Sequence, residues 1–85
     1  MPYINRSDRH YFDERIKNII IQSAGELNYI ITMLIDTYIA DHKKSYQTIN
    51  EAIGVLECAK MELYRRIASP YENTKLEENG DVYTI

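Results

Sequence analysis

Residues Ser45–Ser69, SYQTINEAIGVLECAKMELYRRIAS, form the longest helical pattern in the sequence. It contains no proline and is typical of a single helix, which would span roughly 35 Å at 1.5 Å per residue. Along it, one set of residues recurs at alternating spacings of three and four, a pattern that suits helix–helix packing near a 20° crossing angle. This set, which we call the heptad seam, consists of Ile49, Ile53, Leu56, Lys60, Leu63 and Ile67.

Two shorter helices are predicted before this one. Ser7 is the candidate N-cap of a helix over about residues 7–23 with an amphipathic apolar stripe. A second helix, over about residues 26–40, is apolar around more than half of its circumference, so we expect it to be the most buried. The third helix covers about residues 46–69 and starts at Ser45 or at Thr48, where Thr48 and Glu51 have capping-box spacing. We expect Pro70 to end it, because proline lacks an N–H and restricts the residue before it.

The composition changes after the third helix. Residues 71–85, YENTKLEENGDVYTI, lack apolar periodicity, and Asn79-Gly80 is a turn signal. We therefore predict an all-α fold: a three-helix, antiparallel bundle-like domain over residues 1–70, with a long third helix and a short polar C-terminal arm over residues 71–85.

The long third helix also predicts self-association. Two shorter helices can cover only part of it, so we expect another copy of the chain to cover the rest. We predict that the homo-oligomer interface is formed by the apolar members of the heptad seam, which are Ile49, Ile53, Leu56, Leu63 and Ile67.

Composition narrows the class of protein. The chain has 85 residues and a net charge of −3, which argues for one domain and against general nucleic-acid binding. One cysteine, Cys58, excludes an internal disulfide and fits a reducing compartment. The N-terminus has no apolar signal-peptide region, and the apolar segment over residues 29–40 is too short to span a bilayer. We therefore expect a soluble, cytoplasmic protein without membrane contact.

Tyrosine is over-used, with eight residues against one phenylalanine and no tryptophan. Tyrosine suits half-buried positions, where the ring packs and the hydroxyl finds a polar partner. Alternatively, the rings stack on bases or line a ligand pocket. We favour packing, because a base-stacking groove would need more positive charge. The tyrosines considered for ligand binding are Tyr11, Tyr29, Tyr46 and Tyr64.

A basic cluster lies on the long helix at Lys60, Arg65 and Arg66, with Glu57 and Glu62 at spacings that allow intrahelical ion pairs. A solvated charged face is the simpler interpretation. The alternative is that these cations, repeated around an oligomer axis, hold an anionic ligand such as a phosphate. Lys60 is the strongest candidate for binding an anionic ligand, because it interrupts an apolar seam. Its ammonium must either extend to solvent or meet a negative partner.

No catalytic or metal-binding pattern is present in the sequence. His10 and His42 are isolated, the glycines form no phosphate-binding loop, and Cys58 in a helix centre is typical of a packed side chain. We predict that the protein is not an enzyme and binds no metal or cofactor.

Three segments resemble a known family: GELNYIIT at residues 25–32, SYQTINEAIGVLECAKMELYRR at 45–66 and PYENTKLEENGDVY at 70–83. They are similar to small uncharacterised proteins from tailed-bacteriophage genomes, which also share the opening MPYI. The resemblance implies a phage protein but no particular activity. Because it extends through the C-terminal arm, it also implies an arm that docks, involving Asn79, Gly80, Asp81 and Tyr83.

We predict a non-enzymatic phage accessory protein in the cytoplasm of the infected host cell. In size, helicity and expected oligomerisation it is similar to phage proteins that sequester host cyclic-nucleotide defence signals, and this analogy predicts a small, anionic, nucleotide-type ligand. The alternatives are an interaction module that inhibits or redirects a host macromolecule, and a minor virion protein.

Overall fold

Helices alone make up the regular structure of the chain. The computed structural model describes all residues, Met1–Ile85. It contains α1 (Arg6–Ile16), α2 (Ala24–His42), α3 (Tyr46–Leu63), a π-helix (Tyr64–Ala68) and α4 (Ser69–Asn79). The last three follow one another without a break and form one long helix of 34 residues. The predicted all-α class and long third helix are confirmed.

The first helix is shorter than the sequence predicted. It begins after Asn5, not at Ser7, and ends at Ile16 instead of near residue 23. Two local features explain the early end. The Asn18 side chain donates to the Glu14 carbonyl at 2.8 Å and so competes with the helical hydrogen bond. The β-branched run at residues 19–21 then disfavours further helix.

Side-chain caps define the starts of the next two helices. Ser23 caps α2 by accepting from the Glu26 N–H at 3.1 Å. Ser45 caps α3 and forms a capping box with Thr48, each side chain accepting from the other residue's backbone N–H. The Thr48 hydroxyl also donates to the Lys43 carbonyl at 2.9 Å. The short connection between α2 and α3 is therefore held by its own polar groups.

Pro70 does not end the long helix, and this prediction was wrong. The π-helix immediately before it explains why. Ser69 donates its N–H to the Tyr64 carbonyl, five residues back instead of four. This wider turn shifts the carbonyls with which the proline ring would clash in a regular α-helix. Proline lacks an N–H, so it breaks no hydrogen bond of its own where the register changes. Helix α4 then continues to Asn79, so most of the predicted arm at residues 71–85 is helical.

Apart from the continuous segments of the long helix, α2 and α3 are the only helices that pack against each other. Helices α2 and α3 pack together next to their connection, where Thr48 and Ala52 are buried and Ile35 and Ile39 are half-buried. Thr48 and Ala52 are the only buried residues, and α2, expected to be the most buried helix, has none. Helix α1 packs against no other helix.

The chain is more extended than a folded domain of its length. Its radius of gyration is 17.1 Å, whereas about 12 Å is typical for 85 residues. The hairpin therefore positions its helices without enclosing a core. None of the helices combines the length and apolar character needed to cross a lipid bilayer.

Candidate functional site

A concave feature lies where the N-terminus meets the long helix. This cavity, which we call the N-terminal groove, has a volume of about 590 Å³. Met1, Pro2 and Met61 supply apolar walls, and Cys58 also lines it. Its polar lining comes from the same part of the long helix and consists of Lys60, Glu62, Tyr64 and Arg65.

Tyr3 holds the N-terminal segment against the long helix beside this groove. Its hydroxyl donates to a carboxylate oxygen of Glu62. The same hydroxyl accepts from Nη1 of Arg66 at 3.1 Å. The Tyr3 hydrogen bond is the main reason that the pKa of Glu62 lies below its ordinary value, with Arg65 contributing in the same direction. The hydrogen bond from Tyr3 therefore favours the ionised form of the Glu62 carboxylate in the groove.

The groove brings together three of the predicted ligand-binding residues, Lys60, Tyr64 and Arg65. Arg66 lies beside it, bonded to Tyr3. The structure places the other predicted residues elsewhere. Tyr11 stacks against the Arg15 guanidinium in α1, at 3.6 Å from the ring centroid. Tyr29 in α2 and Tyr46 at the start of α3 are exposed and take no part in the groove.

Both groove cations already have an anionic neighbour. Lys60 Nζ lies 3.3 Å from Glu57 Oε1, and Arg65 Nη2 lies 2.9 Å from Glu62 Oε1. These intrahelical pairs are the ones that the sequence spacing predicted. Exposed pairs of this kind are weak, so they leave the cations able to exchange partners. An anionic ligand would nevertheless have to compete with two carboxylates.

Three tyrosine–glutamate hydrogen bonds connect parts of the fold, and the sequence did not predict them. Besides Tyr3 and Glu62, Tyr38 in α2 donates to Glu51 in α3 at 2.5 Å. Tyr64 donates to Glu72 at 3.0 Å and so spans the π-helix. The abundance of tyrosine indicated that the hydroxyl groups would find polar partners. Which residues these partners are depends on the tertiary arrangement.

These hydrogen bonds shift the titration of their partners. The Tyr38 hydroxyl is the main cause that lowers the pKa of Glu51, and the Gln47 side chain adds to it. Conversely, hydrogen bonding to Glu51 raises the pKa of Tyr38, and bonding to Glu72 raises that of Tyr64. The neutral tyrosine and the ionised carboxylate are thus each the favoured form.

The apolar members of the heptad seam form a separate candidate site on the long helix. All are exposed, from 37% for Ile49 to 63% for Ile67. At 100° per residue, the seam is centred about 80° around the helix from Thr48 and Ala52, which face α2. Helix α2 therefore leaves much of the seam exposed.

The residues predicted for a C-terminal arm occupy three settings. Asn79 is the last residue of α4, and Gly80 follows it with φ 86°, a backbone conformation that glycine tolerates best. Asp81 then accepts from the Tyr83 N–H at 2.9 Å. Tyr83 is exposed. A docked arm stays a prediction for these residues.

No cluster of histidine, cysteine, aspartate or glutamate side chains in the structure is arranged to hold a metal ion. The comparisons with known proteins give one match. Residues 1–82 match the family model described as a domain of unknown function (DUF6899). This match includes the N-terminal groove, the heptad seam and α4. No curated protein and no solved structure matches the chain.

Proposed function

This chain belongs to the DUF6899 family, and from that premise we propose that it is a non-enzymatic interaction protein that works as a homo-oligomer. The observation that carries the proposal is the surface that the chain leaves open. Its accessible area is 7969 Å² for a mass of 10.0 kDa, whereas a folded monomer of that mass exposes roughly 5,200 Å².

The difference, roughly 2,800 Å² per chain, is large for an interface. Obligate homodimers bury about 2,000–5,000 Å² counted over both partners, or about 1,000–2,500 Å² per chain. Much of the open surface is apolar, and the only buried apolar residue is Ala52. A chain with so little core gains most of its stability from apolar burial against a partner. A second copy offers matching apolar faces.

Sedimentation velocity of the unmodified protein over a range of concentrations tests this proposal. We expect a dimer or larger assembly, with a thermal midpoint that rises with protein concentration. A helical monomer that unfolds cooperatively at a concentration-independent midpoint would refute the proposal.

A specific observation favours a second role, binding of a small anionic, nucleotide-type ligand. Lys60, Arg65 and the Tyr64 ring line one groove with apolar walls. Cations that meet phosphate and an aromatic ring that stacks on a base are the chemistry such a ligand needs. In a phage accessory protein, the role proposed from the sequence resemblance, this binding would sequester a host defence signal.

A thermal-shift panel of linear and cyclic nucleotides tests the ligand. A ligand at one hundred times its dissociation constant adds about 2.7 kcal/mol, which should raise the midpoint of so small a protein by on the order of 10 °C. Lys60→Ala and Arg65→Ala should remove that shift. Lys75→Ala is the matched control, because Lys75 pairs with Glu78 outside the groove. A flat panel would refute nucleotide binding and favour a host macromolecule as the ligand.

A further inference from the structure

We infer that two copies of this chain pair their long helices antiparallel through the heptad seam, about a two-fold axis at the level of Cys58. The inference deepens the proposed homo-oligomer and rests on it. Its first basis is the spacing of the seam, which is four, three, four, three and four residues. That order is the same from either end, and its midpoint is residue 58.

A palindromic seam matches itself when one helix is reversed. Each seam residue then lies beside a different residue of the second copy. Ile53 meets Leu63, Leu56 meets Lys60, and the outermost pair is Ile49 with Ile67. Side-chain layers of this mixed kind are those that an antiparallel helix pair forms, whereas a parallel pair places each residue against its own counterpart.

Lys60 decides between the two orientations. In a parallel pair, Lys60 would face Lys60 across an apolar seam, which places two like charges together in a poorly solvated position. In the antiparallel pair, the aliphatic stem of Lys60 packs on Leu56 and its ammonium extends to the edge of the interface. The one polar member of the seam thus disfavours the parallel arrangement.

The neighbouring charges suit the same arrangement. Glu57 follows Leu56 at the edge of the seam and already lies 3.3 Å from Lys60 of its own chain. Next to the two-fold axis, Glu57 of each copy would also approach Lys60 of the other. Two glutamates and two lysines then alternate around the axis. Ala59, on the opposite edge, is small enough to let the helices approach.

The structure leaves the seam available for this pairing. Helix α2 packs on the side of α3 that carries Thr48 and Ala52, about 80° around the helix from the centre of the seam. Ile53 and Leu63, which would pair near the centre, are 59% and 62% exposed. The helix is regular up to Leu63, and the π-helix then turns Ile67 away from the ideal seam position. The four central residues therefore carry the pairing.

Disulfide trapping distinguishes the orientations. In a Cys58→Ser background, Ile53→Cys combined with Leu63→Cys should give a covalent dimer on a non-reducing gel. The two positions are about 15 Å apart along one helix, too far for a bond within a chain. Ile53→Cys alone and Leu63→Cys alone are the matched controls. They should form no covalent dimer on the same gel, because each cysteine lies about 15 Å from its counterpart in the antiparallel pair.

Any other cross-linking result overturns the inference. Efficient cross-linking of the single variants indicates a parallel pair. No cross-linking of the double variant, with sedimentation still showing an oligomer, means that the seam is not the antiparallel interface, although the proposed homo-oligomer stands. A monomer of the unmodified protein in sedimentation removes both proposals.

A distance measurement tests the same arrangement if the variants with cysteine in the seam do not fold. A spin label at Gln47→Cys, in the Cys58→Ser background, is on the exposed side of α3 away from the seam. Antiparallel copies place the two labels on the order of 35 Å apart, because position 47 lies eleven residues from the axis. A parallel pair gives roughly 20 Å, set by the distance between helices and the label length. The shorter distance would overturn the inference.

Discussion

The two ends of α3 differ in how the chain stabilises them. At its start, Ser45 and Thr48 form a capping box, Ala52 is buried against α2, and Tyr38 bonds to Glu51. Farther along, the seam residues Ile53, Leu63 and Ile67 are about 60% exposed. The comparison indicates that a single chain can complete the first region by itself, whereas the second needs a surface that this chain does not supply.

Charged substitutions in the exposed seam should disrupt the protein more than any other change. Ile53→Asp combined with Leu56→Asp should abolish association, because both carboxylates would have to be desolvated in an apolar interface. Since one chain buries so little, helical content should fall as well. Sedimentation and circular dichroism measure both effects. Cys58→Asp, on the opposite side of the helix, is the control and should still associate; equal loss in that variant would contradict the proposed interface.

The first region should respond to the loss of its cap. Ser45→Ala removes the acceptor for the Thr48 N–H and should lower the free energy of unfolding by about 1–2 kcal/mol. Urea denaturation at a fixed protein concentration measures the change. Ser7→Ala is the control, because Ser7 lies within α1 and caps nothing. A change at Ser45 no larger than that at Ser7 would mean that the capping box contributes little.

A substitution at Gly54 is expected to stabilise the long helix. A methyl group there would meet no atom within 4 Å, and alanine favours helix by about 1 kcal/mol over glycine. Gly54→Ala should therefore stabilise the protein by about that amount in thermal unfolding. Gly54 lies well away from the seam around the helix, so the antiparallel pair leaves the position open too. Destabilisation would indicate that another helix packs closely at Gly54.

The smallest expected change is in how the stability of the protein depends on pH in acid. The pKa of Glu51 is lowered from 4.5 in the folded chain, chiefly by the Tyr38 hydrogen bond. Its contribution to stability is therefore present above its unfolded-state pKa, near 4.5, and is lost as pH falls through the lower folded-state pKa. Tyr38→Phe should reduce this acid sensitivity in midpoints measured from pH 7 to 3. Tyr29→Phe is the control. An unchanged pH profile for Tyr38→Phe would show that the hydrogen bond does not link pH to stability.

Local patterns accounted for much of the fold. The apolar periodicity of the long helix and the serine at position 45 are visible in the sequence, and both describe interactions within a few residues. The ion pairs of Lys60 with Glu57 and of Arg65 with Glu62 were predicted for the same reason, since partners three residues apart on a helix must be neighbours.

Errors arose where local rules compete. Apolar continuity favoured a first helix through residue 23, but a side-chain hydrogen bond and a β-branched run end it at Ile16. Proline usually ends a helix, but the π-helix before Pro70 accommodates it. The groove was not predicted as a site. Two of its cations and Tyr64 were identified by residue type, but their meeting with Met1 and Pro2 depends on where Tyr3 holds the N-terminus.

Periodicity and capping act over one or two turns, so the helical class, a start of α3 at Ser45 or Thr48 and the residues of the heptad seam could be predicted from the sequence. Only the tertiary structure decided that α2 faces Thr48 and Ala52 instead of the seam, that the helix passes Pro70, and that three tyrosines bond to glutamates. These outcomes depend on the directions in which helices leave their connections, and the spacing of residues along one helix does not contain that information.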